Sequence, residues 1–205
     1  MNKMGAFFKE LVSWILYLAV WLIIVFTVYR WVAQPFSVDG ASMEHTLEDG
    51  QRLWMVKLAD IEQFDVVIFP KPDARPGEEE KLYVKRIIGR PGDSILYEND
   101  QLILNGAVMT EPYLAEKASE YQAFTAGDFT ADFSLEEITG ETTVPEGKFF
   151  VLGDNRRNSV DGRHFGFIDA DTVLGEADFI YWPVQDISLL SKYDLNPEET
   201  AILEQ

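Results

Sequence analysis

There is no cysteine in the 205 residues, there are only two histidines, and basic residues are half as numerous as acidic ones. Without cysteine the chain has no disulfide, no thiol nucleophile, no CxxC redox pair and no cysteine-ligated metal. His45 and His164 lie far apart in the sequence and no HExxH occurs, so no metal is expected. With 17 Lys+Arg against 35 Asp+Glu the formal net charge is -18. A nucleic-acid partner is therefore excluded, because phosphate contacts need clustered cations. The acidity itself reads as a solvated surface. No phosphate-cradling glycine loop, internal repeat or low-complexity tract is present, and no cofactor is expected.

What the chain does have is one long apolar run. Residues 11 to 29, LVSWILYLAVWLIIVFTVY, hold 19 positions without a charge between Glu10 and Arg30. At ~1.5 Å rise per residue this is about 28 Å of helix, close to the ~30 Å hydrocarbon core of a bilayer. Trp14, Trp21, Tyr29 and Trp31 supply aromatic residues, some of them at the ends where interfacial belts sit. A cleavable signal peptide would have a shorter apolar region and an A-x-A-like site, whereas Ala33-Gln34-Pro35 follows here. The run therefore reads as an uncleaved anchor in contact with membrane lipid. Lys3 and Lys9 precede it and Arg30 alone follows closely, which places residues 1–10 in the cytoplasm and residues 30–205 outside the cell membrane.

Beyond the anchor the sequence reads as short strands at 52–57, 65–69, 81–88, 94–97, 102–105, 148–152 and 177–182. They are rich in Val, Ile, Phe and Tyr and separated by Gly, Pro, Asn and Asp. Asn105-Gly106 is a two-residue hairpin turn. The stretch 70–80, PKPDARPGEEE, reads as an exposed charged loop. Helix is expected to be scarce after the anchor. The fold class is mainly β, an antiparallel catalytic domain with a smaller inserted β region at about 94–146. The centre of that insert, 116–141, reads as weakly structured.

Three stretches carry chemistry. Gly40-Ala41-Ser42-Met43-Glu44-His45-Thr46-Leu47 offers a serine soon after the anchor. Tyr83-Val84-Lys85-Arg86-Ile87-Ile88-Gly89-Arg90-Pro91-Gly92-Asp93 sets a lysine in a β-branched run, and Gly153-Asp154-Asn155-Arg156-Arg157-Asn158-Ser159-Val160-Asp161-Gly162-Arg163 follows. A serine is a weak nucleophile until a base takes its proton. An exposed lysine, with a pKa near ~10.4, is neutral in only about 1 molecule in 2,500 at pH 7. Burial that lowered it to ~7.5 would make roughly a quarter neutral. Strand alternation puts Tyr83, Lys85 and Ile87 on one face and turns Arg86 toward solvent or a carboxylate.

In this order the three stretches resemble those of bacterial type I signal peptidases, specifically the Gram-positive type, over roughly residues 7 to 185. The resemblance implies two associated β-sheet regions and an endopeptidase that removes signal peptides from exported preproteins after small residues. It makes Ser42 the nucleophile and Lys85 the general base. Ser159 is implied to hydrogen-bond and orient the lysine, and Asp161 and Arg163 to form a supporting ion pair. Gly40 stands where some relatives carry a serine that helps to hold the oxyanion, so the Ser42 N–H becomes the principal donor. Phe36, Val38, Met43, Leu47, Tyr83 and Val84 are implied to line a shallow apolar groove, with the extended peptide pairing to strand edges.

Two departures stand out: His45 replaces the proline of the usual SMxPT, and Gly162 replaces the serine of the usual Asp-Ser-Arg. A serine followed closely by a histidine suggests a histidine-based hydrolase, but triad histidines come from a separate, oriented segment. His45 therefore reads as a partly exposed loop residue. Two other readings are open. A soluble self-cleaving repressor shares the dyad but would carry a DNA-binding domain, against which the anchor and the acidity argue. An inactive membrane protein that holds exported or pilus subunits would not need Ser42, Lys85 and Ser159 together.

Overall fold

The computed structural model describes residues 3–72, 77, 81–125 and 127–205, with backbone alone for 3–6. Helix α1 (Lys3–Thr27) continues into a π-helical turn, Val28–Val32. The stretch Phe7–Val32 has a mean hydropathy of 2.5, and none of it is buried within the chain. The apolar run at 11–29 thus lies inside one helix long and apolar enough to cross a membrane. The backbone then turns directly into a strand. Lys57 N–H donates to Val32 O at 2.8 Å, which ties the end of the helix to the sheet.

Every paired strand is antiparallel. The large sheet contains β1 (Ala33–Ser37), β2 (Arg52–Val56), β3 (Val66–Pro70), β4 (Leu82–Gly89), β9 (Lys148–Leu152), β10 (Ile168–Asp169), β11 (Gly175–Trp182) and β12 (Ser188–Leu189). Its order is β1-β2-β11-β3-β4-β9-β10, with β12 added beside β11. The smaller sheet, in the order β7-β6-β5-β8, comprises β5 (Ile95–Glu98), β6 (Gln101–Leu104), β7 (Ala107–Met109) and β8 (Phe133–Ser134). Asn105 and Gly106, at φ 53 and 82, make the turn between β6 and β7, since a type I′ turn needs positive φ at both positions. The two sheets share one core, in which Tyr97, Leu102 and Leu104 of the smaller sheet pack with Ile88, Phe150 and Leu152 of the larger.

Three expectations change. Residues 116–141 are not weakly structured: α2 (Ala115–Phe124) spans ten residues, and α3 (Leu135–Thr139) opens on a Ser134/Glu137 capping box. The segment AEKASEYQAF is built of good helix formers but has no apolar stripe, so periodicity gave no signal for it. A further short helix, α4 (Gly162–Phe165), begins at Asp161. Pro70 is not a loop residue; it closes β3 opposite Leu82, and most of the expected loop at 70–80 lies outside the described residues. The C-terminus folds back as the hairpin β13 (Tyr193–Leu195) and β14 (Ile202–Glu204), with Ile202 buried in the shared core.

Candidate active site

The loop between β1 and β2 carries Ser42. It is pinned from beneath by Met43 and Leu47, both wholly buried, which pack with Val38, Leu53 and Val84. Burial of a side chain of that size is worth roughly 2 kcal/mol, so these two residues hold the loop down on either side of the serine's neighbours. Gly40 has φ 94 and its N–H donates to Asp49 Oδ1 at 2.7 Å. Ser42 N–H has no hydrogen-bond acceptor among the described residues.

Lys85 lies in β4, paired to β3 through Val67. It is 3% exposed, and its Nζ donates to Ser42 Oγ at 2.7 Å and to Val84 O at 2.8 Å. The Tyr83 ring lies 5.3 Å from the same Nζ. Burial lowers the ammonium pKa to about 8, against the upward pull of the Asp161 and Asp154 carboxylates. Desolvation prevails because the charged form loses its water and gains no carboxylate in direct contact.

Arg86 faces away and is buried against a carboxylate, not in solvent. Its Nε and Nη2 meet Asp154 Oδ1 and Oδ2 at 3.0 and 2.6 Å, and Nη1 donates to Phe64 O at 2.8 Å. The guanidinium also stacks 4.1 Å over Tyr113. Asp154 accepts a short hydrogen bond from Thr46 Oγ1 as well, so one carboxylate joins the serine loop to the lysine strand. Asn155 adds a second grip, with its N–H on Ser42 O at 3.0 Å and Nδ2 on Ala41 O at 2.9 Å. Arg156, buried, pairs with Glu111 of the insert, which also accepts from Tyr97 and Tyr113. These links were missed in the sequence. An arginine next to a central-strand lysine hints at a buried carboxylate partner, but nothing in the spacing identifies Asp154 or Glu111.

Asp161, fully buried, accepts from Gly153 N at 3.0 Å and from Arg163 Nε and Nη2 at 2.9 and 2.8 Å. Burial raises its pKa, but the Arg163 guanidinium and the Gly153 N–H outweigh this and hold it below the usual carboxylate value. Ser159 Oγ is buried and makes no hydrogen bond to Lys85; its hydroxyl lacks a partner in ordinary hydrogen-bond geometry but is near enough to Asp161 to help hold that carboxylate's pKa down. It lies against Gly153, where a Cβ would come 2.2 Å from Ser159 Oγ and 2.5 Å from Ser42 O, so only glycine permits this approach. Gly162 is constrained in the same way: an added Cβ would meet Val151 O at 2.8 Å and the Phe150 ring at 2.9 Å.

Beside Ser42 and Lys85 opens a cavity of ≈ 1030 Å³, walled by Phe36, Tyr83, Val84 and Ser159 among others. Val38, Met43 and Leu47 do not line it; they belong to the core under the serine loop, because their side chains point inward to anchor it. The cavity lies between two strand edges. β1 is the outer strand of its sheet, and β9 pairs β4 only from Arg86 onward. His45 points elsewhere, with Nε2 3.1 Å from Glu120 and Nδ1 3.4 Å from Glu48.

One helix long and apolar enough to cross a membrane thus precedes an antiparallel β frame in which Ser42 and Lys85 border an open groove. Residues 11–182 match the family described as signal peptidase, peptidase S26. The chain is 38% identical over 201 residues to signal peptidase IB of Staphylococcus aureus strain MRSA252, covering 94% of this chain and 98% of that one. It is 43% identical over 169 residues to signal peptidase I of Bacillus caldolyticus, covering 80% and 88%. A crystal structure of signal peptidase I from Enterococcus faecalis V583 superposes with a TM-score of 0.51 at 38% identity, covering 58% of this chain and 97% of that one. The chain belongs to the signal peptidase family, peptidase S26, and is a protease.

Proposed function

We propose that the chain is a membrane-anchored serine endopeptidase that cuts exported preproteins after small, A-x-A-like residues, with Ser42 as nucleophile and Lys85 as general base. The observation that carries this is the 2.7 Å contact between Ser42 Oγ and the buried Lys85 Nζ. In its neutral form Lys85 takes the Ser42 hydroxyl proton as Oγ attacks the scissile carbonyl. The free Ser42 N–H holds the developing oxyanion, and Gly40 keeps that side of the loop open. Protonated Lys85 then gives its proton to the departing amine, which leaves an ester on Ser42. Water, deprotonated by Lys85, hydrolyses the ester and releases the signal peptide. Ser159, which borders the same groove as Lys85, is assigned to orient the lysine, while the Asp161–Arg163 pair supports the loop that carries it. Phe36, Tyr83 and Val84 wall the groove, and the unpaired edges of β1 and β4 offer backbone partners to an extended peptide.

The helix Phe7–Val32, with none of it buried within the chain, is assigned to the bilayer, which supplies the apolar surroundings that the chain itself does not. Lys3 and Lys9 set the N-terminus inside and the catalytic region outside. The deciding experiment incubates the purified chain with a preprotein and determines the product masses. Cleavage after a small residue is expected, with no product from Ser42→Ala or Lys85→Met and a retained rate for His45→Ala. An active Lys85→Met beside an inactive His45→Ala would overturn the assignment.

A further inference from the structure

Helix α2 belongs to the insert, yet its polar face lies on the nucleophile loop. Lys117 Nζ is 3.2 Å from Glu44 Oε2, two residues after Ser42. The same Glu44 oxygen accepts from Asn155 Nδ2 at 3.3 Å. Asn155 in turn holds Ala41 O through that amide and Ser42 O through its own N–H. One turn along the helix, Glu120 lies 3.7 Å from Lys117 and 3.1 Å from His45 Nε2. We infer that Lys117 and Glu44 form a clasp that positions Ser42, with Lys117 as a positioning residue for the cleavage reaction. The inference rests on the reading of Ser42 as the nucleophile.

The physical reason lies in the shared carboxylate. With Lys117 in place, Glu44 divides its charge between an ammonium and the Asn155 amide. Without Lys117, the carboxylate is left with the amide alone and draws Asn155 away from Ala41 O. The Ala41-Ser42 backbone then shifts relative to Lys85, and displacement of a reacting group by about 1 Å can cost up to ~100-fold in rate. Lys117 and Glu44 side chains are 19% and 25% exposed, and a partly exposed ion pair adds little to stability. Position and stability therefore separate in experiment.

The test measures kcat, KM and the thermal midpoint of full-length variants on one signal-peptide substrate. Lys117→Ala is expected to lower kcat by about 5- to 30-fold with KM within about twofold, the pattern of an interaction that matters in the transition state. The thermal midpoint should stay within about 2 °C. Lys117→Arg, which keeps the charge, should recover most of the loss. Glu44→Gln removes the charge that would draw Asn155 away, so it should keep most of kcat, and adding it to Lys117→Ala should restore most of the lost rate, as expected for coupled residues. An unchanged kcat in Lys117→Ala, a rise in KM alone, or a double variant no faster than Lys117→Ala would overturn the clasp. Ser42→Ala is measured alongside. If it is inactive while Lys117→Ala is fully active, the clasp alone fails; if it retains activity, the nucleophile reading beneath the clasp fails.

Discussion

Burial that lowers the Lys85 ammonium pKa, as the proposed base role requires, also taxes folding. Its ammonium pKa falls from 10.5 when exposed to about 8 in the folded chain. Below pH 8 both folded and unfolded chains carry the proton, and the folded one bears the full cost of burying it. Between about 8 and 10.5 the folded chain has released that proton and the cost declines; above this range it vanishes. The cost is about 3 kcal/mol at pH 7 and below about 1 kcal/mol at pH 10. Lys85→Met should therefore be more stable relative to the parent at pH 7 than at pH 10, by roughly 2 kcal/mol in denaturant unfolding. A difference independent of pH would show that the amine is not desolvated. Lysine burial was legible in the sequence because Tyr83 and Ile87 share its strand face. Asp154, which ties Thr46 to Arg86, was not, since the pairing depends on loops brought together only by the fold.

At the scale of elements, α4 and the strand before it leave room for glycine alone at 162. The Val151 carbonyl and the Phe150 ring of β9 together fill the space that a side chain at 162 would need. Gly162→Ser should cost about 1–3 kcal/mol through overpacking. Adding Phe150→Leu, which withdraws the ring, should cost less than the sum of the two single changes, as expected for residues in contact. Equal additivity in a denaturation series would contradict this packing account. Strand placement was largely legible, because β-branched runs between turn residues marked β2 to β6, β9 and β11, and the Asn105-Gly106 turn implied β7. The missing elements follow a different logic. α2 shows no hydrophobic periodicity, and β8, β10 and β12 have two residues each, too short for alternation to register. The groove-facing assignment failed for Val38, Met43 and Leu47 because an apolar residue beside a nucleophile serves equally well as an anchor beneath it.

Across the whole molecule, the helix and the catalytic region are joined without a linker: Val32 ends the π-helical turn and Ala33 starts β1. If the helix crosses the bilayer, the groove sits close to its surface. A chain beginning at Gln34 should still cut a soluble peptide, and should lose rate chiefly on a membrane-embedded preprotein, because tethering raises local concentration without new contacts. Equal rates for the full and shortened chains on the embedded substrate would remove the tether from the account. The long apolar helix was legible from uninterrupted apolarity, whereas the orderly C-terminal hairpin was hidden in a polar tail. The central claim, that Lys85 is the base for Ser42, is tested most directly by the dependence of kcat/KM on pH. With the ammonium at about 8, the rate should rise about tenfold per unit between pH 6 and 7 and level off above about 8. A rate that is flat from about pH 5 to 9, with chemistry limiting, would contradict a lysine base.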